Sequence, residues 1–373
     1  MRKILFVVNV DWFFISHRLE IGLEAMRAGY EVHIATQFTS RRDELESLGF
    51  ITHALRIDRG DSNFLGAIFL LFSLIKLFWA LRPSIVHLIT IKPVLLGGFA
   101  AKFSPVKSMV FSISGLGSAF IVNGIMGRIR LAIIRFAYRI AFSSHNIAVI
   151  TQNPDDGFLL KSFTGVSSNN IIVIRGSGVD LNQFVVSPEN CGVPIVLFPA
   201  RLLASKGIFE FVQASKLLRA RGLLVRFVLA GMVDSDNPHS ISQSQLDCWV
   251  KEGVVEHWGY RNDMPQVIAS ANLVVLPSYR EGLPKALLEA AAAGRAVVTT
   301  DVPGCRDAIE PNVTGVLVAV RDAVSLANAI ERLLSNSAER NAMGLAGRCL
   351  AEKEFDVHAV VDKHLVIYKR LLV

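Results

Sequence analysis

Short apolar segments alternate with helical patterns along this chain, and the whole series occurs twice. The segments are mostly apolar and rich in Val and Ile, which is typical of strands in a parallel sheet covered on both faces. They are KILFVVNV, YEVHIAT, SIVHLIT, SMVFSIS and NIAVIT, then IVLFPA, RFVLAG, VVEHWG, NLVVLPS, AVVTTD and TGVLVAV. A polar break, SPENCGVP at residues 187–194, separates the two series. The pattern predicts an α/β fold of two doubly wound, Rossmann-like domains.

The length of 373 residues is large for a single hydrophobic core and agrees with two domains. We expect an N-terminal domain at residues 1–185, a C-terminal domain at residues 186–355 and a terminal helix at residues 356–373. In doubly wound sheets, ligands bind beyond the carboxyl ends of the strands. Functional residues are therefore expected in the loops that follow strands, around a cleft between the two domains.

Positive charge is concentrated in the first half of the chain. Residues 1–180 contain 19 Lys and Arg against 12 Asp and Glu, whereas residues 181–373 contain 20 of each, so the first half carries the net charge of +7. Residues 62–154 contain nine basic and no acidic residues: Lys76, Arg82, Lys92, Lys102, Lys107, Arg128, Arg130, Arg135 and Arg139. Such a stretch is attracted to an anionic surface. Its aromatic residues lie inside aliphatic runs and match no base-stacking motif, which argues against nucleic acid.

Two segments of this acid-free stretch are apolar as well as basic. Residues 64–81 are nearly long enough to span a bilayer, but Lys76 interrupts them and a strand pattern follows at once, which favours a helix of an α/β unit. Residues 125–142 place Arg128, Arg135 and Arg139 on one helical stripe among Ile, Leu and Phe. This is typical of a helix in the plane of an anionic membrane, although a buried helix with solvated arginines has the same spacing. The lack of acidic residues favours the membrane.

Two further patterns narrow the function. The first strand pattern runs into NVDWFFISH without a GxGxxG motif, which argues against a dinucleotide-dependent enzyme. The cysteines are far apart and form no CxxC pair, so neither a zinc site nor a disulfide framework is predicted, and a reduced cytoplasm fits. They are Cys191, Cys248, Cys305 and Cys349.

The glycines of SGLGS, residues 114–118, would let the backbone approach a phosphate or substrate, or simply form a turn.

The segment SYREGLPKALLEAAAAG, residues 278–294, joins the end of a strand pattern to the start of a helical one. Pro284 suits the first turn of that helix, where a missing N–H has no cost. Glu281, Gly282 and Leu283 precede it, at a helix end whose free N–H groups and dipole favour an anion such as a diphosphate. Gly282 also allows a ligand to approach the backbone closely.

Two carboxylates of this segment are candidate ligands for hydroxyl groups. Glu289, in the second helical turn, can accept hydrogen bonds from vicinal hydroxyls such as those of a ribose. Glu281 can accept from the group that the diphosphate carries. The alternative is that both carboxylates only complement the positive end of the helix.

Two cations follow the first strand pattern of the second half, in the sequence FPARLLASKG. Arg201 and Lys206 lie five residues apart there, and a planar guanidinium with a compact ammonium suits the oxygens of a diphosphate. In a reaction of a nucleotide sugar, negative charge develops on the leaving diphosphate. Fixed cations at that place stabilise the transition state more than the ground state.

Four segments together resemble the nucleotide-sugar domain of family 4 retaining glycosyltransferases of the GT-B fold. They are ARLLASKG, GYRNDMP, LPSYREGLPKALLEAAAAG and DVPGCRDAIEPNVTGVLV. The spacing of Glu281 and Glu289 is typical of that family. The likeness covers nearly the whole chain but is denser from residue 201 to 318. In the first half, WFFISHRLEIGLEAMRAGYEVHIAT resembles bacterial members that build O-antigen, capsule or glycan repeat units on undecaprenyl diphosphate.

The resemblance implies retaining transfer of a hexose or N-acetylhexosamine from a UDP-sugar to a polyprenyl-diphosphate-linked saccharide. It implies a cytoplasmic protein at the inner face of the cytoplasmic membrane, with the terminal helix packing back toward the N-terminal domain. Arg201 and Lys206 would hold the donor diphosphate, with Glu281 at the donor sugar. Glu289 would bind the ribose, and Arg261 would border the base. The residues themselves do not exclude GDP as the nucleotide.

The resemblance places the acceptor on the basic, apolar first domain. Many relatives carry a histidine that faces the donor sugar after a strand comparable to MVFSIS, whereas this chain has Ser114 and Gly115 there. These two residues are candidates for the acceptor side. His17 is another, although a single histidine in a loop more often has a structural role. The family's reaction is thought to need no enzymic nucleophile, so no covalent residue is assigned and the general base stays open.

No metal or other cofactor is expected. The sequence DSD at Asp234–Asp236 resembles the metal-binding DxD of the other glycosyltransferase fold, but it follows a strand in a different architecture and predicts a solvated turn. Magnesium is not expected to be essential, because Arg201, Lys206 and the helix terminus supply positive charge.

Two other functions remain open from the sequence. Nucleotide-sugar 2-epimerases have the same double-domain architecture and need no lipid acceptor. A non-catalytic membrane scaffold derived from an enzyme is the second alternative. It is disfavoured because the four polar positions of the donor site are all filled.

Overall fold

The computed structural model describes residues 1–57, 64–116, 124–144, 146–234, 237 and 239–372. They form two compact units, each an α/β sandwich around a parallel sheet. Unit 1 comprises Met1–Ser177 and His358–Val373, and unit 2 comprises Gly178–Val357. The prediction of two doubly wound α/β domains is confirmed.

Unit 1 has seven strands: β1 (Lys3–Val10), β2 (Glu31–Gln37), β3 (Ile51–Ala54), β4 (Ile85–Ile89), β5 (Ser108–Ile113), β6 (Asn146–Thr151) and β7 (Ile171–Val173). All pair in parallel, in the order β3-β2-β1-β4-β5-β6-β7. Its helices are α1 (Asp11–Arg27), α2 (Arg42–Ser47), α3 (Phe64–Leu81), α4 (Ile91–Ala101), α5 (Gly124–Ala141) and α6 (Pro154–Thr164). The last helix of the chain, α13 (Val357–Arg370), also packs on this unit from His358 onward.

The two strands at the edges of this sheet, β3 and β7, were missed by the sequence analysis. Both are short and partly exposed, because an edge strand has a neighbour on one side only. They therefore lack the long apolar run that marks the central strands. The five strands that the sequence did predict are the central ones, buried on both faces.

Residues 64–81 form the single helix α3, which covers one face of the sheet. Leu70, Leu74 and Phe78 recur at intervals of four and are buried, since this spacing keeps side chains on one helical face. The opposite face exposes Phe69 and Phe72 to solvent. Within the described residues, no helix combines the length and the apolar character that crossing a membrane requires.

The C-terminal helix α13 is fixed to the sheet of unit 1 by buried polar contacts. Tyr368 Oη lies 2.7 Å from Nδ1 of His87 in β4, and His87 Nε2 lies 2.6 Å from Ser112 Oγ in β5. Asn146 at the start of β6 donates its amide to the carbonyl of Leu371 at 2.8 Å. The end of the chain is therefore an integral part of this unit.

Unit 2 has six strands: β8 (Ile195–Phe198), β9 (Arg226–Ala230), β10 (Glu256–Gly259), β11 (Leu273–Leu276), β12 (Ala296–Thr300) and β13 (Gly315–Val318). They pair in parallel in the order β10-β9-β8-β11-β12-β13. The helices are α7 (Ile208–Ala220), α8 (Gln243–Lys251), α9 (Met264–Ser270), α10 (Lys285–Ala292), α11 (Ala323–Ser335) and α12 (Ser337–Glu354). All six strands coincide with predicted segments.

The polar break at residues 187–194, near which the sequence analysis placed its boundary, lies inside unit 2. The buried Arg340 holds Glu189 through three N–O contacts of 2.5 to 3.1 Å. Arg295, also buried, donates to the Ser187 carbonyl at 2.8 Å. These contacts attach the segment to unit 2, so the chain divides between Ser177 and Gly178 instead of near residue 185.

Candidate active site

The residues after β11 connect that strand to α10 at the carboxyl edge of the sheet of unit 2. Glu281, Gly282 and Leu283 lie in this loop, and Leu283 is buried. Pro284 is the N-cap, with φ −72° and ψ 120°, and the helix begins at Lys285. The expectation that Pro284 belongs to the first turn is therefore wrong by one residue, because its ψ is extended. Pro284 has no side-chain oxygen to cap the helix, and the first-turn N–H groups stay suited to an anion.

Lys206 and Glu281 form an ion pair. Lys206 ends the short 3-10 turn Ala204–Lys206 after β8, and its Nζ lies 2.5 Å from Glu281 Oε1. The two side chains are only 21% and 12% exposed, so the pair is largely shielded from water. The neighbouring strands β8 and β11 bring these two loops together, although 75 residues separate Lys206 from Glu281. The pair places one positive and one negative charge beside the start of α10.

Gly207 explains how the two loops approach so closely. Its φ is +78°, and a Cβ at this position would lie 2.1 Å from the carbonyl oxygen of Pro277. Any side chain would push the 3-10 turn away from the end of β11. Tyr279 N also donates to the Ser205 carbonyl at 2.9 Å, which ties the loops at a second point.

The loop after β12 forms the third wall of this site. Gly304 has φ +83°, and a Cβ there would lie 2.5 Å from the Gly282 carbonyl oxygen and 2.6 Å from that of Glu281. Glu281 N donates to the Pro303 carbonyl at 3.3 Å. From the sequence alone, this segment contributed only to the family likeness, and none of its residues had a predicted role. The dipeptide Pro303-Gly304, shortly after the strand pattern AVVTTD, was the sequence signal that could have indicated a role for this loop.

Cys305 lies behind the ion pair and is fully buried. Burial, with the negative charge of Glu281 as the next cause, raises the pKa of the Cys305 thiol to about 12. The thiol is therefore neutral at physiological pH and acts as a small apolar side chain.

Glu289 lies in the second turn of α10, as the sequence predicted, and is buried. Burial raises the pKa of this carboxyl, and Lys285 Nζ, 3.5 Å from its Oε1, opposes that shift. The carboxylate keeps acceptor capacity for hydroxyl donors, because one ammonium at 3.5 Å does not saturate two oxygens.

Arg201, in the loop after β8, is half exposed and paired. Its Nη1 donates to Asp234 Oδ2 at 2.8 Å, and the side chain is 46% exposed. Asp234, predicted to lie in a solvated turn, is instead only 17% exposed and orients this arginine. Ser235 and Asp236, the rest of the DSD sequence, lie outside the described residues.

Arg261 lies in the loop after β10 and makes a bidentate pair with Asp263, at 2.8 and 2.5 Å. Both side chains are about two-fifths exposed. The structure places Arg261 in a loop at the carboxyl edge of the sheet, at its β10 end.

A further polar cluster beside the ion pair was missed by the sequence analysis. Tyr279 Oη donates to Glu210 Oε1 at 2.8 Å, and the guanidinium of Arg321 lies 4.7 Å from the centre of the Tyr279 ring. Burial and the Glu210 hydrogen bond raise the pKa of Tyr279 to about 12. Glu210 lies in the first turn of α7, the helix that follows Lys206. Glu210, Tyr279 and Arg321 are far apart in the sequence, so only the folded structure shows that they are neighbours.

In unit 1, His17 lies within α1 and not in a loop as expected. Its ring stacks on Phe13 with centroids 4.2 Å apart, and its Nδ1 lies 2.5 Å from Ser16 Oγ. Helix α1 starts directly after β1, which leaves no loop between them. Ser114 and Gly115 follow β5, and Gly115 has φ +108°. Gly117 and Ser118 of the SGLGS sequence lie outside the described residues.

No group of three or more His, Cys, Asp or Glu side chains within the described residues is arranged to hold a metal ion. The charged groups described at the carboxyl edge of unit 2 include the cations Arg201 and Lys206, each paired with one acid. The arrangement favours binding of an anion at the edge and of hydroxyl groups by the carboxylates.

Two family models match the chain. The family described as "Glycosyl transferase 4-like" matches residues 3–155, and "Glycosyl transferases group 1" matches residues 193–336. The chain belongs to these glycosyltransferases. The second match contains Arg201, Lys206, Arg261, Glu281 and Glu289, so every donor-side candidate of this glycosyltransferase lies within it.

Two curated relatives of this glycosyltransferase have an undecaprenol-linked sugar in their names. N,N'-diacetylbacillosaminyl-diphospho-undecaprenol α-1,3-N-acetylgalactosaminyltransferase of Campylobacter jejuni is 27% identical over 356 residues, which is 92% of each chain. UDP-Gal:α-D-GlcNAc-diphosphoundecaprenol α-1,3-galactosyltransferase of Escherichia coli is 24% identical over 81% of this chain and 79% of its own.

Solved structures show the same fold. Sucrose-phosphate synthase from Thermosynechococcus elongatus superimposes with a TM-score of 0.82 at 20% identity, over 100% of this chain and 99% of its own. Anabaena HepE in complex with UDP and glucose gives 0.78 at 17% identity, over 99% and 100% of the two chains. The likeness confirms the GT-B fold that the sequence predicted.

Proposed function

We propose that this glycosyltransferase moves a hexose or N-acetylhexosamine from a UDP-sugar to a polyprenyl-diphosphate-linked saccharide, with retention at the transferred carbon. The observation that carries the proposal is the Lys206–Glu281 pair beside the uncapped start of α10. The chain also matches a relative whose name contains diphospho-undecaprenol, over 92% of both lengths. Cell-surface polysaccharide assembly is the process that such an acceptor serves.

The donor diphosphate binds unit 2, at the start of α10. Lys206 and Arg201 contribute positive charge, and the N–H groups of the first turn of α10 contribute the positive end of the helix dipole. As the bond from sugar to diphosphate breaks, negative charge grows on the leaving oxygens. These fixed positive groups then lower the barrier without reorganising.

The two carboxylates hold the donor's hydroxyl groups. Glu281, kept in place by Lys206 at 2.5 Å, accepts from the sugar that is transferred. Glu289 accepts from the ribose, and Arg261 borders the base. A carboxylate pinned by an ammonium loses little conformational entropy when the donor binds, which favours a single sugar orientation.

No residue is proposed to attack the sugar. In the proposed mechanism the acceptor hydroxyl approaches from the face that the diphosphate vacates, which preserves the anomeric configuration. Neither a divalent metal nor any other cofactor is required, since Arg201, Lys206 and α10 supply the charge.

The acceptor lipid meets unit 1, on the face where α3 and α5 lie on either side of α4. Phe72 of α3 and Phe136 of α5 are 64% and 66% exposed. Arg128, Arg135 and Arg139 line a depression of about 410 Å³ on α5. None of these three arginines forms an ion pair with a described acidic residue, so they are suited to anionic head groups. We place the protein at the inner face of the cytoplasmic membrane as a peripheral protein.

Sugar transfer is tested with a panel of UDP-GalNAc, UDP-galactose and UDP-glucose against two acceptors. These are undecaprenyl-diphosphate-linked N-acetylglucosamine and N,N'-diacetylbacillosamine. We expect one donor to be transferred with an α linkage. Lys206→Ala should lower kcat by about 100-fold or more, whereas Lys216→Ala, a lysine on the surface of the same unit, should not. Equal activity of both variants would contradict the proposed donor site.

Membrane binding is tested by sedimentation with vesicles of phosphatidylglycerol and phosphatidylethanolamine. Replacing Arg128, Arg135 and Arg139 by Gln should release the protein from these vesicles. The matched control replaces Arg2, Arg27 and Arg42, which removes the same charge from other positions of unit 1. Equal release by both triple variants would show that net charge and not this surface determines binding.

A further inference from the structure

Three polar side chains at the carboxyl edge of the sheet of unit 1 have buried oxygens without a hydrogen-bond partner among the described residues. They are Asn9 Oδ1, Thr90 Oγ1 and Ser114 Oγ. Asn9 belongs to β1, Thr90 follows β4 directly, and Ser114 follows β5 directly. A buried oxygen that lacks a partner lowers stability, so a native protein retains such groups where a ligand or water satisfies them.

The three residues are neighbours, because β1, β4 and β5 are adjacent in the sheet. Val7 and Leu88 form the last pair between β1 and β4, and Asn9 and Thr90 each lie two residues beyond it, at the carboxyl ends of these neighbouring strands. Ile89 pairs with Ser112, and Thr90 N donates to the Ser112 carbonyl at 3.2 Å. Ser114 lies two residues after Ser112, directly beyond the end of β5. The unsatisfied oxygens therefore line one short stretch of the carboxyl edge.

The backbone of Thr90 is strained at the same place. Its φ of 70° and ψ of 165° fall in a region that is occupied almost only by glycine. A β-branched residue there is an outlier that costs stability. Next to Ser114, Gly115 has φ +108°. A glycine at position 90 would adopt this backbone without strain. The presence of threonine instead therefore indicates that its hydroxyl group is needed.

The chemistry of the three groups selects the ligand. An amide and two hydroxyls are neutral, so they suit neutral hydroxyl groups better than a phosphate or a metal ion. Partly exposed aromatic rings, Trp12 and Phe13, follow Asn9 in the chain and offer apolar surface. Hydroxyls around an apolar ring face are the pattern of a pyranose.

We propose that Asn9, Thr90 and Ser114 bind the ring hydroxyls of the acceptor saccharide and set its orientation for transfer. This inference rests on the proposed function and assigns its acceptor-sugar site. The three residues are specificity determinants, since each reads the presence and the direction of a hydroxyl. The donor sugar is held by unit 2 and does not depend on them.

The first test uses Thr90→Val, which removes the hydroxyl but keeps the branched shape, and Ser114→Ala. Each should lower kcat/KM for undecaprenyl-diphosphate-linked N-acetylglucosamine, or for the diacetylbacillosamine acceptor if that is the one used, by about three- to tenfold. KM for the UDP-sugar should stay unchanged, because the donor is proposed to bind unit 2. Ser47→Ala, which removes an exposed hydroxyl of the same unit, is the matched control.

The variant Thr90→Gly distinguishes a loss of acceptor binding from a loss of fold stability. Glycine adopts the observed backbone without strain, so this variant should melt at the same temperature as the wild type or higher. It should nevertheless lose acceptor kcat/KM as Thr90→Val does. A Thr90→Gly variant with full acceptor kcat/KM would overturn the inference, as would a rise in UDP-sugar KM without an effect on the acceptor.

Binding measured without transfer distinguishes this inference from the proposed function. Isothermal titration with the water-soluble saccharide diphosphate of the acceptor should show weaker binding to Thr90→Val than to the wild type. If the wild type transfers no sugar but Thr90→Val still weakens saccharide binding, the proposed function fails and the site stands. If transfer occurs and Thr90→Val binds and reacts like the wild type, the site fails and the function stands.

Discussion

Replacing Lys206 by Met should separate the two proposed roles of the Lys206–Glu281 pair, which are to stabilise the loops of unit 2 and to supply charge to the reaction. Two unit charges 2.5 Å apart attract by about 6 to 7 kcal/mol at an effective dielectric constant of about 20. Desolvation cancels much of this attraction. Removing one partner of a buried pair costs about 3 to 5 kcal/mol.

The pair in this protein is shielded but not fully buried, with 21% and 12% of its side chains exposed. We therefore expect Lys206→Met to lower the free energy of unfolding by about 2 to 3 kcal/mol, which is about 5 to 10 °C in melting temperature for a unit of this size. The loss arises because Glu281 keeps its charge in a shielded position without a partner.

The double variant Lys206→Met/Glu281→Gln tests that reason. Removing the orphaned charge should restore most of the stability, whereas kcat should stay about 100-fold or more below the wild type, because the cation is still missing and the carboxylate proposed to bind the donor sugar has also been removed. Stability is measured by urea denaturation and activity by release of UDP during transfer. A double variant that regains activity along with stability would refute the role of Lys206 at the leaving diphosphate.

Three further predictions concern other parts of the protein. Gly304→Ala should lower the free energy of unfolding by about 2 kcal/mol or more and reduce transfer, because its Cβ would lie 2.5 Å from the Gly282 carbonyl oxygen. The control Gly222→Ala has nearly the same φ, +77°, but no atom within 4 Å, and should cost less in urea denaturation. Burial, with Arg18 nearby, lowers the pKa of His364 from 6.5 to about 3. The neutral ring therefore contributes stability that is complete above pH 6.5 and is lost as pH falls toward 3, by about 2 kcal/mol at pH 5. Urea midpoints should fall over that range in the wild type and less in His364→Leu, and equal slopes would contradict the assignment. Transfer should continue in EDTA, and its complete loss would contradict a metal-free donor site.

The fold follows from the sequence wherever a strand is central in its sheet. Those strands are buried on both faces, so most positions along them are apolar and the run is visible without a structure. The edge strands β3 and β7 carry no such run, because one side of each lacks a neighbour. The boundary between the units was also displaced, since a polar segment near residue 190 is held to unit 2 by Arg340.

The geometry of the proposed donor site was predictable where its residues lie close together in the chain. Glu281 and Glu289 share one strand-to-helix connection, and their positions follow from local patterns. The pairing of Lys206 with Glu281 depends on β8 and β11 being neighbours, which local patterns do not reveal. Local patterns likewise do not reveal the hydrogen bond between Tyr279 and Glu210.

The site in unit 1 was only partly visible from the sequence for a related reason. Ser114 and Gly115 were found because they follow a strand pattern in a position that family members use. Asn9 and Thr90 gave no such signal, because their significance lies in strand order, in oxygens without partners and in the left-handed backbone of Thr90. His17 was misplaced because α1 starts immediately at the end of β1.

The start of α10, with Lys206 and Arg201, is proposed to hold the departing nucleotide diphosphate. A crystal structure of the protein with UDP tests it most directly. Phosphate oxygens should lie about 3 Å from Lys206 Nζ and from backbone N–H groups at residues 282–286. Phosphates bound elsewhere, with Lys206 still engaged only by Glu281, would contradict the account.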